Sequence, residues 1–130
     1  MANYVLDTTV LIDFLGGAPK AASLVRELSA EEHQLCTCCI CVSELHSGLS
    51  AGAAATADEL LDNLTYLDVT RDQARLAGNM RYQFARRGIS LSTTDTIIAA
   101  VAIANDATLV TANVRDFPME DLQLLELPSN

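Results

Sequence analysis

Four acidic side chains stand directly after apolar stretches or near the starts of predicted helices. They are Asp7, Glu44, Asp95 and Asp116. Each has an ordinary structural explanation. Asp7 can cap a helix, and Asp95 can complete a capping box with Ser92. Glu44 can be an exposed helix acid, and Asp116 can stabilise a turn. The question is therefore whether the fold brings these four carboxylates together.

Apolar patterning predicts strands and helices that alternate along the chain. The predicted strands are Tyr4–Leu6, Gln34–Cys38, Thr65–Val69, Leu109–Thr111 and Leu122–Leu127. Six helices are predicted. The first is Val10–Leu15, the second begins at Pro19, and the third carries Val42, Leu45 and Leu49. The fourth is Ala57–Asn63, after a turn at Ser50–Ala55, the fifth runs from Thr70 to about Arg87, and the sixth is Thr96–Asn105. Alternation of this kind predicts an α/β fold with a parallel sheet and helices on both faces.

The predicted sheet gives the four acids a common location. In an open parallel sheet the carboxyl ends of the strands lie along one edge, where ligands bind. Carboxylates that converge repel one another and resist ionisation unless a cation lies among them. Mg²⁺ and Mn²⁺ prefer oxygen ligands, and such ions activate water and stabilise a leaving oxygen in phosphoryl chemistry. Neither histidine is needed, and an oxygen-only site argues against zinc.

Length and composition indicate one domain spanning residues 1–130 with a substantial core, since half of the residues are hydrophobic. We expect a soluble cytoplasmic protein, because the sequence has neither a signal-peptide pattern nor an apolar run of membrane-spanning length. The net charge of −9 argues against indiscriminate nucleic-acid binding. However, five of the eight basic residues lie between Arg71 and Arg87. A solvated helix face would also explain that cluster.

The four cysteines are crowded into the segment Cys36–Cys41. Zinc sites usually take two separated ligand pairs, and this sequence has a single cluster. In an extended segment Cys36 and Cys38 would face one way, and Cys39 and Cys41 the other. We therefore expect small buried apolar residues rather than a metal site or a disulfide framework.

Four motifs in this order resemble those of the PIN-domain nucleases, and most closely the VapC-like toxins of toxin–antitoxin pairs. The resemblance covers essentially the whole chain. The motifs are Asp7-Thr8-Thr9-Val10-Leu11-Ile12, Ser43-Glu44-Leu45 with Gly48, Thr94-Asp95-Thr96-Ile97-Ile98-Ala99-Ala100, and Leu109-Val110-Thr111-Ala112-Asn113-Val114-Arg115-Asp116-Phe117.

The resemblance implies an α/β/α sandwich around a parallel sheet of about five strands. It also implies Mg²⁺- or Mn²⁺-dependent endonucleolytic cleavage of RNA. Asp7, Glu44 and Asp95 match the three core metal-binding acids of the family, and Asp116 matches the more variable fourth. These four are the expected catalytic residues.

Further residues near the motifs are expected to support this chemistry. Thr9 occupies the small polar position two residues after the first acid, where the family often has Ser or Asn. Thr111 and Asn113 match polar residues near the site. Four arginines are candidates for steering substrate phosphates. They are Arg81, Arg86, Arg87 and Arg115.

The family resemblance also implies partners. VapC-like toxins are usually homodimers that a small VapB-like antitoxin inhibits by covering the active-site groove. The stretches Phe14-Leu15 and Leu45–Leu49 are candidate docking surfaces, although burial in the core would explain most of those side chains.

Four alternatives remain open from the sequence. A phosphate-receiving signalling domain and a phosphatase would each need a lysine late in the chain, and the only lysine is Lys20. The phosphatase would also need an aspartate where Thr9 stands. A non-catalytic binding module on the same scaffold would usually have lost acids, and all four are present. A housekeeping RNA-processing nuclease differs from a toxin in role rather than in chemistry.

Overall fold

The computed structural model describes residues 2–128 of the chain. Its strands are β1 (Asn3–Leu6), β2 (Gln34–Cys38), β3 (Thr65–Leu67), β4 (Thr108–Thr111) and β5 (Gln123–Glu126). Its helices are α1 (Thr8–Leu15), α2 (Pro19–Ala30), α3 (Cys39–Ser47), α4 (Ala51–Asp62), α5 (Arg71–Arg86) and α6 (Thr93–Ala104). A 3₁₀ turn, Val114–Asp116, follows β4. The predicted alternation of strands and helices is confirmed.

The five strands form one parallel sheet in the order β3-β2-β1-β4-β5. Strand β1 is central, and its Val5 pairs with Cys36 of β2 on one side and Leu109 of β4 on the other. The chain builds outward from β1 first in one direction and then in the other. A crevice therefore opens outside the carboxyl ends of β1 and β4, the place where open α/β sheets bind ligands.

The core lies on both faces of this sheet, which gives the three-layer α/β/α sandwich that was predicted. Val5 and Leu6 of β1 are 0% and 1% exposed, as expected for a strand covered on both sides. Six residues of α6 are buried, because this Ile- and Ala-rich helix packs against the sheet on one side and α5 on the other. Helices α2 and α3 both pack against α1. No helix within residues 2–128 is long and apolar enough to cross a membrane.

Several predicted boundaries were wrong. Strand β3 ends at Leu67 rather than Val69, and α3 begins at Cys39 and ends at Ser47, before Leu49. The segment Ser50–Ala55, predicted as a turn, is the start of α4: Ser50 is its N-cap and accepts a 3.4 Å hydrogen bond from the Ala53 N–H. Alanine has the highest helix propensity, and that preference outweighs the single glycine in this stretch. Helix α6 begins at Thr93 rather than Thr96, because Ser92 caps it.

The cysteine segment also departs from the prediction. Cys36, Cys38 and Cys41 are buried as expected, but Cys39 is exposed. The chain leaves the extended conformation after Cys38 and enters α3 at Cys39, so the alternating geometry of a strand no longer applies. As a result the sulfurs of Cys38 and Cys41 lie 4.0 Å apart instead of on opposite sides.

Candidate active site

Asp7 follows β1 directly and is 5% exposed. It does cap α1, because its Oδ1 accepts a 2.7 Å hydrogen bond from the Thr8 N–H. Its Oδ2 accepts two further hydrogen bonds, from the hydroxyls of Thr9 (3.1 Å) and Thr111 (2.7 Å). Three donors on one buried carboxylate fix its orientation. Asp7 can therefore cap α1 and also take part in a functional site.

The same two hydroxyls accept hydrogen bonds from the segment that follows β4. Thr9 Oγ1 accepts a 3.2 Å hydrogen bond from the Ala112 N–H, and Thr111 Oγ1 accepts a 3.0 Å bond from the Asn113 N–H. Thr9 and Thr111 thus lie where supporting residues were predicted, both in contact with Asp7. Asn113 contributes its backbone N–H to this arrangement.

Glu44 lies on α3 and faces the start of α1. Its Oε1 accepts a 2.8 Å hydrogen bond from the hydroxyl of Thr8. It is the sixth residue of α3, more than one turn from the start, so it lies farther from the helix start than the sequence predicted. His46, two residues later, contacts Asp58 at 2.8 Å and lies outside this arrangement. Thr8 was not among the predicted site residues, although the Asp7-Thr8-Thr9 motif contains it.

Asp95 is the third residue of α6, and its N–H donates a 3.1 Å hydrogen bond to Ser92 Oγ. Burial raises the pKa of its carboxyl, and a hydrogen bond between the Ser92 side chain and that carboxyl opposes the rise. The negative charges of Asp116, Asp7 and Glu44 raise this pKa further. All three therefore lie close enough to act on Asp95, and the four acids gather at one edge of the sheet.

Asp116 lies in the 3₁₀ turn after β4 and is exposed. It lines an open cavity of about 450 Å³ together with Asn113, Arg115 and Glu126. Within residues 2–128, no three His, Cys, Asp or Glu side chains are arranged so that they could hold a metal ion as they stand. The donor set nonetheless fits a hard cation, because it consists of oxygens and because added positive charge would relieve the repulsion that acts on Asp95.

The other predicted RNA-binding residues lie on α5 and just beyond it. Arg81 Nε donates a 3.0 Å hydrogen bond to the Leu91 carbonyl and so joins α5 to the segment before α6. The Arg86 guanidinium lies 5.7 Å from the centre of the Tyr82 ring. Arg87 and Phe84 form a similar pair at 4.9 Å. In the described part of the chain, no hydrogen bond or ion pair joins these arginines to the four acids.

An apolar cavity of about 510 Å³ lies beside Glu44, between α1, α3 and α4. Its walls include Ile12, Leu15, Leu45 and Leu49. Ile12 is 52% exposed, whereas Leu45 is almost completely buried. The predicted surface at Leu45–Leu49 therefore borders the acidic site, but only part of it is open.

Comparisons with known proteins agree with this geometry. The PIN domain family model matches residues 4–118. Ribonuclease VapC19 of Mycobacterium tuberculosis is 38% identical over 122 residues, which cover 92% of this chain and 96% of that protein. Ribonuclease VapC2 of Rickettsia felis is 28% identical over 119 residues, which cover 88% of this chain and 89% of that protein.

Solved structures share the fold. The VapBC2 complex of Rickettsia felis bound to a promoter DNA fragment contains a chain with a TM-score of 0.86 at 24% identity, covering 97% of this chain and 99% of that one. A chain of the DNA-bound VapBC of Salmonella typhimurium has a TM-score of 0.85 at 22% identity, and the match covers 98% of this chain and 100% of that one. Sequence, fold and site geometry lead to the same conclusion: the chain belongs to the PIN-domain family, in its VapC-like group.

Proposed function

We propose that this protein is a metal-dependent endoribonuclease that hydrolyses RNA phosphodiester bonds, and that it is the toxin of a VapBC-type toxin–antitoxin pair. The observation that carries the proposal is the gathering of Asp7, Glu44, Asp95 and Asp116 at the edge of β1 and β4. The relative that is 38% identical is named a ribonuclease, which supports the same activity.

The proposed metal is Mg²⁺ or Mn²⁺. Asp7, Glu44 and Asp95 would hold it, with Asp116 helping to bind a second ion or a water molecule. When bound, such an ion lowers the pKa of a coordinated water and stabilises the charge that develops on the phosphate oxygens. This role suits the donor set, which offers carboxylates without thiolate or imidazole.

The protein's own contribution is to hold the carboxylates in place before substrate arrives. Thr9 and Thr111 fix Oδ2 of Asp7, while Thr8 fixes Oε1 of Glu44. Preorganised charges cost little reorganisation during the reaction, and this is the main source of catalysis in phosphoryl transfer. Asn113 supports the loop that presents Asp116.

The substrate is drawn to an acidic protein by local positive charge. Arg115 adjoins Asp116 and lines the same cavity, so it is placed to meet a phosphate next to the site. Arg86 and Arg87 extend the positive surface along α5, and Arg81 adds charge while also joining α5 to the chain before α6. Because the proposed substrate is cellular RNA, the proposed location of the protein is the cytoplasm.

The proposed partners are a VapB-like antitoxin and a second copy of the toxin. The structurally similar chains come from VapBC complexes. The apolar cavity beside Glu44 could seat an apolar side chain of the antitoxin, which would block the route to the acids. Phe14 and Leu15 line the adjoining groove between α1, α2 and α4 and extend that surface.

The decisive experiment is cleavage of total RNA by the purified protein with Mg²⁺, Mn²⁺ or EDTA. Asp95→Asn should abolish cleavage. Asp62→Asn, which neutralises an exposed acid at the end of α4, should leave it unchanged. A folded wild type that binds Mn²⁺ but cuts no RNA would favour a binding module. A wild type that neither binds Mn²⁺ nor cuts RNA would overturn the proposal.

A further inference from the structure

Cys38 and Cys41 form a C-x-x-C pair at the beginning of α3. Cys38 is the N-cap of the helix, with extended backbone, and Cys41 is its third residue. Their sulfurs are 4.0 Å apart and share a hydrogen bond. Both side chains are completely buried. The two thiols are thus next to each other and held in a fixed arrangement.

The N-terminus of a helix favours the ionised form of a nearby thiol. Unpaired N–H groups at a helix N-terminus carry partial positive charge, which stabilises a thiolate. The hydrogen bond from Cys41 is the largest influence on Cys38 and lowers its pKa to about 6. Burial and the charge of Glu44 oppose this, whereas the N–H groups of Cys41 and Ile40 add to it. Cys38 is therefore the more readily ionised thiol of the pair.

We propose that Cys38 and Cys41 are a reversible oxidation site, at which hydrogen peroxide forms an intramolecular disulfide that small cellular thiols reduce again. The Cys38 thiolate attacks one peroxide oxygen, the O–O bond breaks, and a proton converts the departing hydroxide to water. Cys41 sulfur then attacks the resulting sulfenic acid, the S–O bond breaks, and a second water leaves. Two thiols are oxidised and one peroxide is reduced to two waters.

The geometry favours this pair over the other two cysteines. A disulfide requires two sulfurs to approach to about 2.0 Å, and those of Cys38 and Cys41 already lie 4.0 Å apart. Cys36 lies two residues before Cys38 on β2, and its thiol points to the Gln34 carbonyl at 3.8 Å. Cys39 is exposed and interacts with Tyr66. Neither has a cysteine partner at comparable distance among the described residues.

The oxidation site borders the candidate active site without belonging to it. The Thr8 hydroxyl lies within hydrogen-bonding reach of the Cys41 thiol, and it donates a hydrogen bond to Glu44 Oε1. The negative charge of Asp7 also raises the pKa of the Cys41 thiol. A disulfide between Cys38 and Cys41 therefore changes the surroundings of Thr8, the residue that orients Glu44.

The test is a count of free thiols in the purified 130-residue chain after hydrogen peroxide treatment, followed by dithiothreitol. We expect the count to fall from four to two and to return to four. The tryptic peptide between Arg26 and Arg71 contains all four cysteines and should lose the mass of two hydrogen atoms without gaining oxygen. This readout requires no nuclease activity, so it stands or falls separately from the proposed function.

Matched variants identify the pair. Cys36→Ala and Cys39→Ala should each still lose two thiols, because both leave the pair intact. Cys38→Ala and Cys41→Ala should lose none. The proposal is overturned if the wild type keeps four thiols, if the loss is not reversed by dithiothreitol, or if Cys39→Ala blocks it. The wild-type result is decisive even where a variant fails to fold.

Discussion

The hydroxyl of Thr8 donates a 2.8 Å hydrogen bond to Oε1 of Glu44 and so joins the first turn of α1 to the middle of α3. The backbone N–H of the same residue donates to Asp7. Thr8 therefore orients two of the four acids at once, one through its backbone and one through its side chain. Only the second contact depends on the nature of the side chain.

Replacing Thr8 by valine should reduce RNA cleavage while the fold is kept. A hydrogen bond to a charged group contributes about 1.5–3 kcal/mol, so kcat/KM should fall roughly tenfold to a hundredfold. Thr8→Ser retains the hydroxyl and should stay close to wild type. Steady-state cleavage of a short RNA and Mn²⁺ titration of both variants would measure the effect. Equal activity in valine and serine variants would show that Glu44 does not need this bond.

Asp95 should make the metal-free protein less stable as pH rises. Burial and the neighbouring acids raise the pKa of this carboxyl in the folded state above its ordinary value of 3.8. Its stabilising contribution is therefore complete below pH 3.8 and is lost as pH rises through the raised pKa. Urea unfolding in EDTA should show Asp95→Asn gaining stability relative to wild type over that range. Mg²⁺ should restore wild-type stability at neutral pH, and an identical pH profile for both proteins would contradict the expectation.

Arg86 and Arg87 are expected to contribute to RNA affinity through charge alone. Glutamate at both positions should weaken binding and lower the salt dependence of the dissociation constant, because fewer counterions are released. Arg75→Glu is a suitable control, since Arg75 is an exposed residue of the same helix that pairs with Asp72. Binding of inactive Asp95→Asn protein to labelled RNA would be measured across a salt series. An unchanged salt slope would remove Arg86 and Arg87 from the substrate path.

Thr37 on β2 should be replaceable by valine with a gain in stability. It is 1% exposed, and its hydroxyl has no hydrogen-bond partner among the described residues. Burying an unpaired polar group costs about 1–3 kcal/mol, whereas valine has nearly the same shape without the hydroxyl. Thermal unfolding should show a melting temperature higher by roughly 3–15 °C. Thr37→Ser, which keeps the hydroxyl and loses the methyl group, should melt lower than wild type.

Much of the fold could be predicted from sequence because its signals are local. The apolar run at Tyr4–Leu6 and the alternation of elements were sufficient to place β1 inside a parallel sheet. The gathering of acids at one edge followed from topology alone. Their roles as ligands remain a prediction, since distances between side chains depend on rotamers that a linear pattern does not contain.

Sequence reasoning missed contacts between residues far apart in the chain and contacts across a change from strand to helix. Thr8 and Glu44 are 36 positions apart, and the Asp7-Thr8-Thr9 motif gives no indication of which hydroxyl turns towards α3. The Cys38–Cys41 contact was missed because the chain changes from strand to helix between them. A C-x-x-C spacing that spans a predicted strand end would have been a usable signal.

The hydrogen bond from Thr111 to Asp7 spans 104 positions. During synthesis, Asp7 leaves the ribosome long before β4 exists to pair with β1 and supply that donor. Asp95 and Asp116 are also made late. A growing chain therefore holds an incomplete site until Asp116 has been made. The RNA-cleaving activity that we propose can arise only after β4 and Asp116 have been made, so the ribosome and message that produce it are not exposed to it from the start.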